Sequence, residues 1–220
     1  KDMSISSDTI SKLKNFANIN ANLVYTGDGK LKTISEAKNI LAIANIAEDW
    51  KEEFGIYDLN EFIAVANIIQ NPDFSYNREG CTFSGNGRKI KYTFADPAIL
   101  TAPTKEVTMP APEVVFDITN DELNELRKAA ATLGHNTLRV TPESLSVVDS
   151  SGATANEFSM TYKLDSTTKD EWFQMDFLIN NLKLMQGDYK VNLSSKLISE
   201  WVGEDITYWI ALEKTSKYGK

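Results

Sequence analysis

Three close carboxylate pairs, one histidine and one cysteine are the residues of this chain whose types suit catalysis. Asp58/Glu61, Asp121/Glu122 and Asp170/Glu171 have the composition of a general acid with its base. Each pair, however, falls where a helix start or a solvated loop would place it. His135 reads as a polar residue in the turn after a helix, with no nucleophile or carboxylate partner identifiable in the sequence. Cys81 is single, which leaves neither an internal disulfide nor a cysteine metal cluster. Gly85-Asn86-Gly87 reads as a hairpin turn rather than a phosphate-cradling loop. What remains is electrostatic: Lys12, Lys14, Arg127, Lys128 and Lys183 fall on predicted helices. Such residues either contact phosphates without reading sequence or make an ordinary solvated helix face. No enzyme, cofactor or metal is expected.

The 220 residues carry a net charge of −8, and most of the acidic excess lies in the second half. That balance argues against a protein that coats nucleic acid with its whole surface, and leaves room for a local basic face. No apolar run approaches the roughly 20 residues that span a bilayer. No secretory leader is expected, because Ile10, Leu13 and Phe16 are interrupted by Lys12, Lys14 and Asn15. The lone cysteine fits a reducing compartment.

The elements that would position the basic residues repeat at about half the chain length. Ser7 is expected to cap a helix over Ser7–Ala17, with Ile10, Leu13, Phe16 and Ala17 as its apolar stripe. Strands are expected at 22–26, 30–34 and 41–47. A second helix is expected over 58–70, opened by Asp58 and Glu61, with Leu59, Phe62, Ile63, Ala66 and Ile69 inside. Strands at 74–78, 81–84 and 89–94 complete the first half. Residues 96–113 then hold Pro97, Pro103, Pro110 and Pro112, four of the six prolines. Proline fixes φ and removes a donor, so this connector should be extended. The second half repeats the order: a strand at 114–118, a helix started by Thr119 and Glu122 and stopped by Gly134, then strands at 137–141, 144–148, 158–164 and 171–179. A short helix near 180–185 carries Lys183, and strands at 189–194 and 207–212 follow. The fold class is α+β, dominated by antiparallel sheet, with domains over 1–106 and 107–220.

Several segments, in order, resemble the sliding clamps of the T-even bacteriophages. They are Ser7-Asp8 with Leu13-Lys14-Asn15-Phe16-Ala17-Asn18-Ile19-Asn20; Ile56-Tyr57-Asp58-Leu59-Asn60 with Phe62; Ala95-Asp96-Pro97 with Ala102-Pro103; Phe177-Leu178-Ile179-Asn180 leading to Met185-Gln186-Gly187-Asp188-Tyr189-Lys190; and Ala211-Leu212-Glu213. No single segment is diagnostic; the ordered set carries the resemblance. The loops at 48–54 and 195–205 fit no pattern of the family, and the Gln186-Gly187 turn lacks a proline common in relatives.

The resemblance implies a DNA-clamp fold: two similar domains, each with two helices packed on antiparallel sheets. It implies a homotrimeric ring around double-stranded DNA, closed head to tail through sheet edges of the first domain of one subunit and the second domain of the next. It implies a replicative DNA polymerase and a clamp loader as partners, and a place in the cytoplasm of an infected bacterial host. Lys12, Lys14, Arg127, Lys128 and Lys183 would then lie on helices that line the hole. Not all five need face inward, since Lys12 and Lys14 stand about 200° apart on a helix. Ile99, Leu100, Val107, Met109 and Pro110 would line a groove for partner peptides, or else cover the core of the second domain. Two other readings stay open. One is a small-ligand enzyme or binding protein on a duplicated scaffold, which would show a concave pocket with converging polar groups. The other is a clamp-like protein that binds only proteins.

Overall fold

The first helix, α1 (Ser7–Ala17), is capped one residue earlier than the sequence suggests. Ser6, in extended backbone, accepts the amide of Thr9 at 3.1 Å through its hydroxyl. Ser7 is therefore the first helical residue rather than the cap. Leu13 and Phe16 are buried on the inner face, as the apolar spacing requires.

The computed structural model describes residues 4–219 and divides them into two units that meet at Glu106 and Val107. After α1, the first unit contains β1 (Leu23–Tyr25), β2 (Lys30–Ile34), β3 (Ile40–Asn45), β4 (Phe54–Ile56), α2 (Leu59–Ala66), β5 (Asp73–Tyr76), β6 (Gly80–Gly85) and β7 (Arg88–Thr93). A 3-10 turn over Pro97–Ile99 follows. All pairings within the unit are antiparallel: β1 with β4, β2 with β3, and β5-β6-β7 in sequential order. Helices α1 and α2 pack on each other. An aromatic cluster fills the interior beneath the strands, with Phe54 stacked on Tyr25 at 5.1 Å and on Phe94 at 4.8 Å between ring centres.

Helix α2 is shorter than the expected 58–70. Asp58 accepts the Glu61 amide at 3.1 Å and opens it. It ends at Ala66, and the chain then turns through Asn71, which adopts positive φ (47°) before Pro72. Proline disfavours helical backbone at the residue preceding it. Ile69 remains buried, now from a turn instead of a helix.

The second unit contains β8 (Val114–Ile118), α3 (Asn120–Leu133), β9 (Thr137–Val140), β10 (Leu145–Val148), β11 (Phe158–Met160), β12 (Phe173–Leu178), β13 (Tyr189–Ser194), β14 (Ile198–Val202), β15 (Ile206–Ala211) and β16 (Lys217–Tyr218). One antiparallel set runs β8-β13-β14-β15 and another β11-β10-β9-β12-β16. Helix α3 has a complete capping box between Thr119 and Glu122, and ends on Gly134 in the left-handed region.

The helix expected near 180–185 is not formed. One 3-10 turn covers Ile179–Asn181, and Lys183 lies beyond it. The reason lies in the backbone partners. From Leu182 onward several main-chain groups bond to side chains, so the i to i−4 ladder is not continued. Strand β14 crosses the loop that fits no family pattern. Its alternation is hidden because the inward residue Ser199 is polar. Its hydroxyl donates to the Ile210 carbonyl at 2.7 Å and accepts from the Trp201 indole at 3.0 Å. Strands β4 and β16 were also not anticipated, and the strand expected at 158–164 stops at Met160.

Candidate functional site

The two lysines of α1 have different environments. Lys12 is 4% exposed. Its ammonium donates to Asp8 Oδ2 and to the Asn45 carbonyl, both at 2.7 Å. The expectation that Lys12 contacts phosphate is therefore corrected: its charge is satisfied inside the fold, where it ties α1 to the end of β3. A buried carboxylate reinforces this tie. Glu48 Oε1 accepts the Ser6 amide at 2.8 Å, and Oε2 accepts the Thr9 hydroxyl. Lys14 is exposed. It sits on the wall of a polar cleft of about 880 Å³ together with Ser7, Ser11, Asn67, Gln70 and Asn71. Helix α2 adds no cation.

In the second unit, α3 positions the basic residues. Asn120, Asn124 and Arg127 recur at intervals of four and three, so they form one stripe. The segment 182–188 runs antiparallel along this stripe. Arg127 Nη2 donates to the Leu182 carbonyl at 3.2 Å, Asn124 Nδ2 to Gln186 Oε1 at 3.2 Å, and the Gly187 amide to Asn120 Oδ1 at 2.9 Å. Asp188 returns a bond by accepting the Asn120 amide at 2.8 Å, where a carboxylate also suits the helix dipole.

Two tyrosines also secure the segment. The Met185 amide donates to Tyr208 Oη at 3.0 Å, and Tyr189 Oη donates to the Met185 carbonyl at 2.7 Å. Burial raises the pKa of both phenols, that of Tyr189 up to about 12, so both keep their protons at neutral pH.

Lys183 is exposed and adjacent to the carbonyl that Arg127 holds; Lys128 is exposed on the next position of α3. The fold thus brings Arg127 and the residue before Lys183 together, although they are far apart in sequence, while Lys128 lies about 100° further round α3. Sequence reasoning missed Asn120 and Asn124. Their signal was two poor helix formers spaced by four inside a helix.

The connector residues fall in both units. Ile99 is 71% exposed on the 3-10 turn that Asp96 caps. Leu100 is half-buried over Gly55, where an added Cβ would stand 2.7 Å from Leu100 Cδ1 and 2.8 Å from the Ala95 carbonyl oxygen. Val107, Met109 and Pro110 are half-buried at the start of the second unit. Within the first unit, a small groove of about 180 Å³ is lined by Leu41 and Ile43 of β3 and by Pro103, with Lys32 and Lys105 at its rim. Leu41 and Ile43 were not anticipated as lining residues. The signal was present: Ile40 to Ala44 is apolar at every position, where a strand buried on one face would alternate.

Among the described residues no group of His, Cys, Asp or Glu is arranged to hold a metal, and no helix is long and apolar enough to cross a membrane.

A family described as gp45 sliding clamp, C terminal, matches residues 115–214. A sliding clamp of Vibrio phage KVP40 is 28% identical over 221 residues, covering 96% of this chain and 99% of the relative. A sliding clamp of Enterobacteria phage T4 is 27% identical, covering 98% and 99%. Among solved structures, A. fulgidus PCNA bound to the C-terminal region of FEN-1 aligns with a TM-score of 0.70 at 11% identity, over 98% of this chain and 99% of that one. This last likeness shows the fold.

Proposed function

We propose that the chain is a sliding clamp of the T-even phage type, to whose members it is similar along nearly its whole length, and that three copies close head to tail into a ring that encircles duplex DNA and tethers the replicative polymerase. Each copy supplies two clamp domains, 1–106 and 107–220. The observation that carries this reading is similarity to phage sliding clamps along 96% of the chain, joined to a clamp fold. The protein acts as a processivity factor, without chemistry of its own. A separate loader opens the ring in the cytoplasm of the infected bacterium.

A clamp has to retain duplex without gripping it. Topology supplies retention, and a few non-specific phosphate contacts permit sliding. Lys14, Lys128 and Lys183 fit those contacts, because they are the exposed members of the basic set. A net charge of −8 is compatible with this when the acidic groups lie elsewhere on the surface. Short peptides of the polymerase and loader would dock on apolar surface beside the connector. Ile99, Leu100, Val107, Met109 and Pro110 are candidates there, together with the groove formed by Leu41, Ile43 and Pro103.

Light scattering over a concentration series tests the assembly. The expected result is a species near three times the 24.6 kDa chain mass that dissociates on dilution. A strict monomer at high concentration would overturn the ring.

A further inference from the structure

The connector enters the second unit through a stiff stretch that is fastened at one residue. Met109-Pro110-Ala111-Pro112 sets two prolines in alternation. Each proline fixes its own φ and confines the residue before it to extended backbone. All four residues are therefore restricted, and such a stretch acts as a semi-rigid spacer of about 3.1 Å per residue. Glu113 follows directly. Its amide donates to the Leu193 carbonyl and its carbonyl accepts the Lys169 amide, both at 3.0 Å. Its carboxylate reaches the turn between β13 and β14, where Oε2 accepts the Ser195 amide at 2.9 Å and Oε1 the Ser195 hydroxyl at 2.6 Å. Burial by itself would raise this carboxyl, but the two Ser195 donors outweigh it and hold the group below its ordinary value. The turn is fixed in its own right: Leu197, at φ 66°, donates its amide to the Ser194 carbonyl and accepts the Leu212 amide, both at 3.0 Å.

We infer that Glu113 is a positioning residue for partner docking: by clasping Ser195 it sets the direction in which the stiff stretch 109–112 leaves β8, and so presents Val107, Met109 and Pro110 in one arrangement. This deepens the docking reading and rests on it. The two main-chain bonds secure the place of Glu113, and the side-chain clasp removes its remaining freedom to twist. A small twist there is carried to Met109, about 12 Å away along an extended stretch, because no residue between them is free to absorb it. An apolar anchor that samples several directions is competent in only a fraction of the molecules, and apparent affinity falls by that fraction.

The test uses the full chain with four substitutions. E113A removes the clasp, S195A removes its hydroxyl, S195T keeps that hydroxyl, and P112G softens the stretch while leaving the clasp intact. None of them deletes a main-chain bond of Glu113. The first readout is the mobility of a nitroxide on Thr108→Cys, an exposed position; Cys81 is buried and stays unlabelled. The label is expected to become more mobile in E113A and P112G, and to a smaller extent in S195A, and to stay restricted in S195T. An unchanged spectrum in E113A overturns the clasp, and an unchanged spectrum in P112G overturns the stiffness that transmits it. The second readout is direct binding, on unlabelled protein, of the replicative polymerase encoded in the same genome. Its apparent Kd is expected to rise about five- to tenfold in E113A and P112G, as one arrangement becomes several, and to match the unsubstituted protein in S195T. An unchanged Kd in E113A, with the label mobile, overturns the inference, because the direction of the stretch would then not matter to the partner. No polymerase binding by the unsubstituted protein would instead refute the docking reading, and the nitroxide would still decide whether Glu113 holds the connector.

Discussion

Arg139 grips both carboxylate oxygens of Asp176, at 2.9 and 3.1 Å, from the directly paired position on the neighbouring strand. Asp176 is fully buried. It also accepts the Thr215 hydroxyl at 2.6 Å, and its own amide donates to the Ser216 hydroxyl at 2.9 Å. The pair therefore anchors the chain after β15 onto β12. Removing one member of a buried ion pair leaves the other uncompensated, at a cost of about 3–5 kcal/mol. Arg139→Met is expected to lower stability to urea by an amount near the bottom of that range, because Arg139 is partly exposed. Arg139→Met with Asp176→Leu should cost less than Arg139→Met alone. Equal stability of Arg139→Met and the unsubstituted protein would refute the anchor.

The two lysines of α1 should separate stability from DNA contact. Lys12→Met leaves the Asn45 carbonyl without its donor, a loss of about 1–3 kcal/mol. Lys14→Met should leave the urea midpoint unchanged and reduce the salt dependence of duplex binding by about one phosphate's worth. The opposite assignment of effects would return Lys12 to the DNA-facing set.

Alkaline pH should unfold the protein progressively. Burial pushes Cys81 and Tyr92 up to about 12, as it does Tyr189. Ordinary values are 9.0 for the thiol and 10.0 for the phenol. Each folded value is raised, so the unfolded chain loses its protons first. No stability is lost on this account below pH 9, and it then declines as pH rises through 9 and 10 towards 12. Urea midpoints measured at pH 8, 9.5 and 10.5 should fall in that order. Cys81 should resist a thiol reagent at pH 8 until the chain is unfolded, because only the thiolate reacts; rapid labelling of the native protein would contradict its burial.

Leu41→Ser and Ile43→Ser test the groove beside the connector. Both side chains are half-buried on β3, so the substitutions should leave the solution mass unchanged. Binding of a polymerase-derived peptide should fall by about tenfold or more, the weight of one lost apolar anchor. Undiminished binding would move the docking surface to Ile99 and the residues after Val107.

Much of the fold was legible because its signals are local. The cap at Thr119 with Glu122, the stop at Gly134, and strands β2, β8 and β13 follow from short-range spacing and appear where it put them. What was not legible depends on partners distant in the chain. The helix expected near 180–185 fails because Arg127, Tyr189 and Tyr208 supply partners that no local pattern reveals. Strand β14 was hidden by Ser199, whose burial is acceptable only because Ile210 and Trp201 satisfy it. Lys12 read as a surface cation until the Asn45 carbonyl was seen beside it. Sequence periodicity gives the face of a helix, and burial depends on what is packed against it.

The segment 182–188 along α3 also bears on how this protein can diverge. Helix α2 meets most of its backbone requirements through its own turns, so its backbone course does not depend on distant side chains. The segment has no such independence, since its shape depends on α3 and on two distant tyrosines. Across lineages, replacements at Asn120, Asn124 and Arg127 should accompany changes in 182–188, whereas the exposed face of α2 should drift alone. The two halves of a duplicated design would then age at different rates.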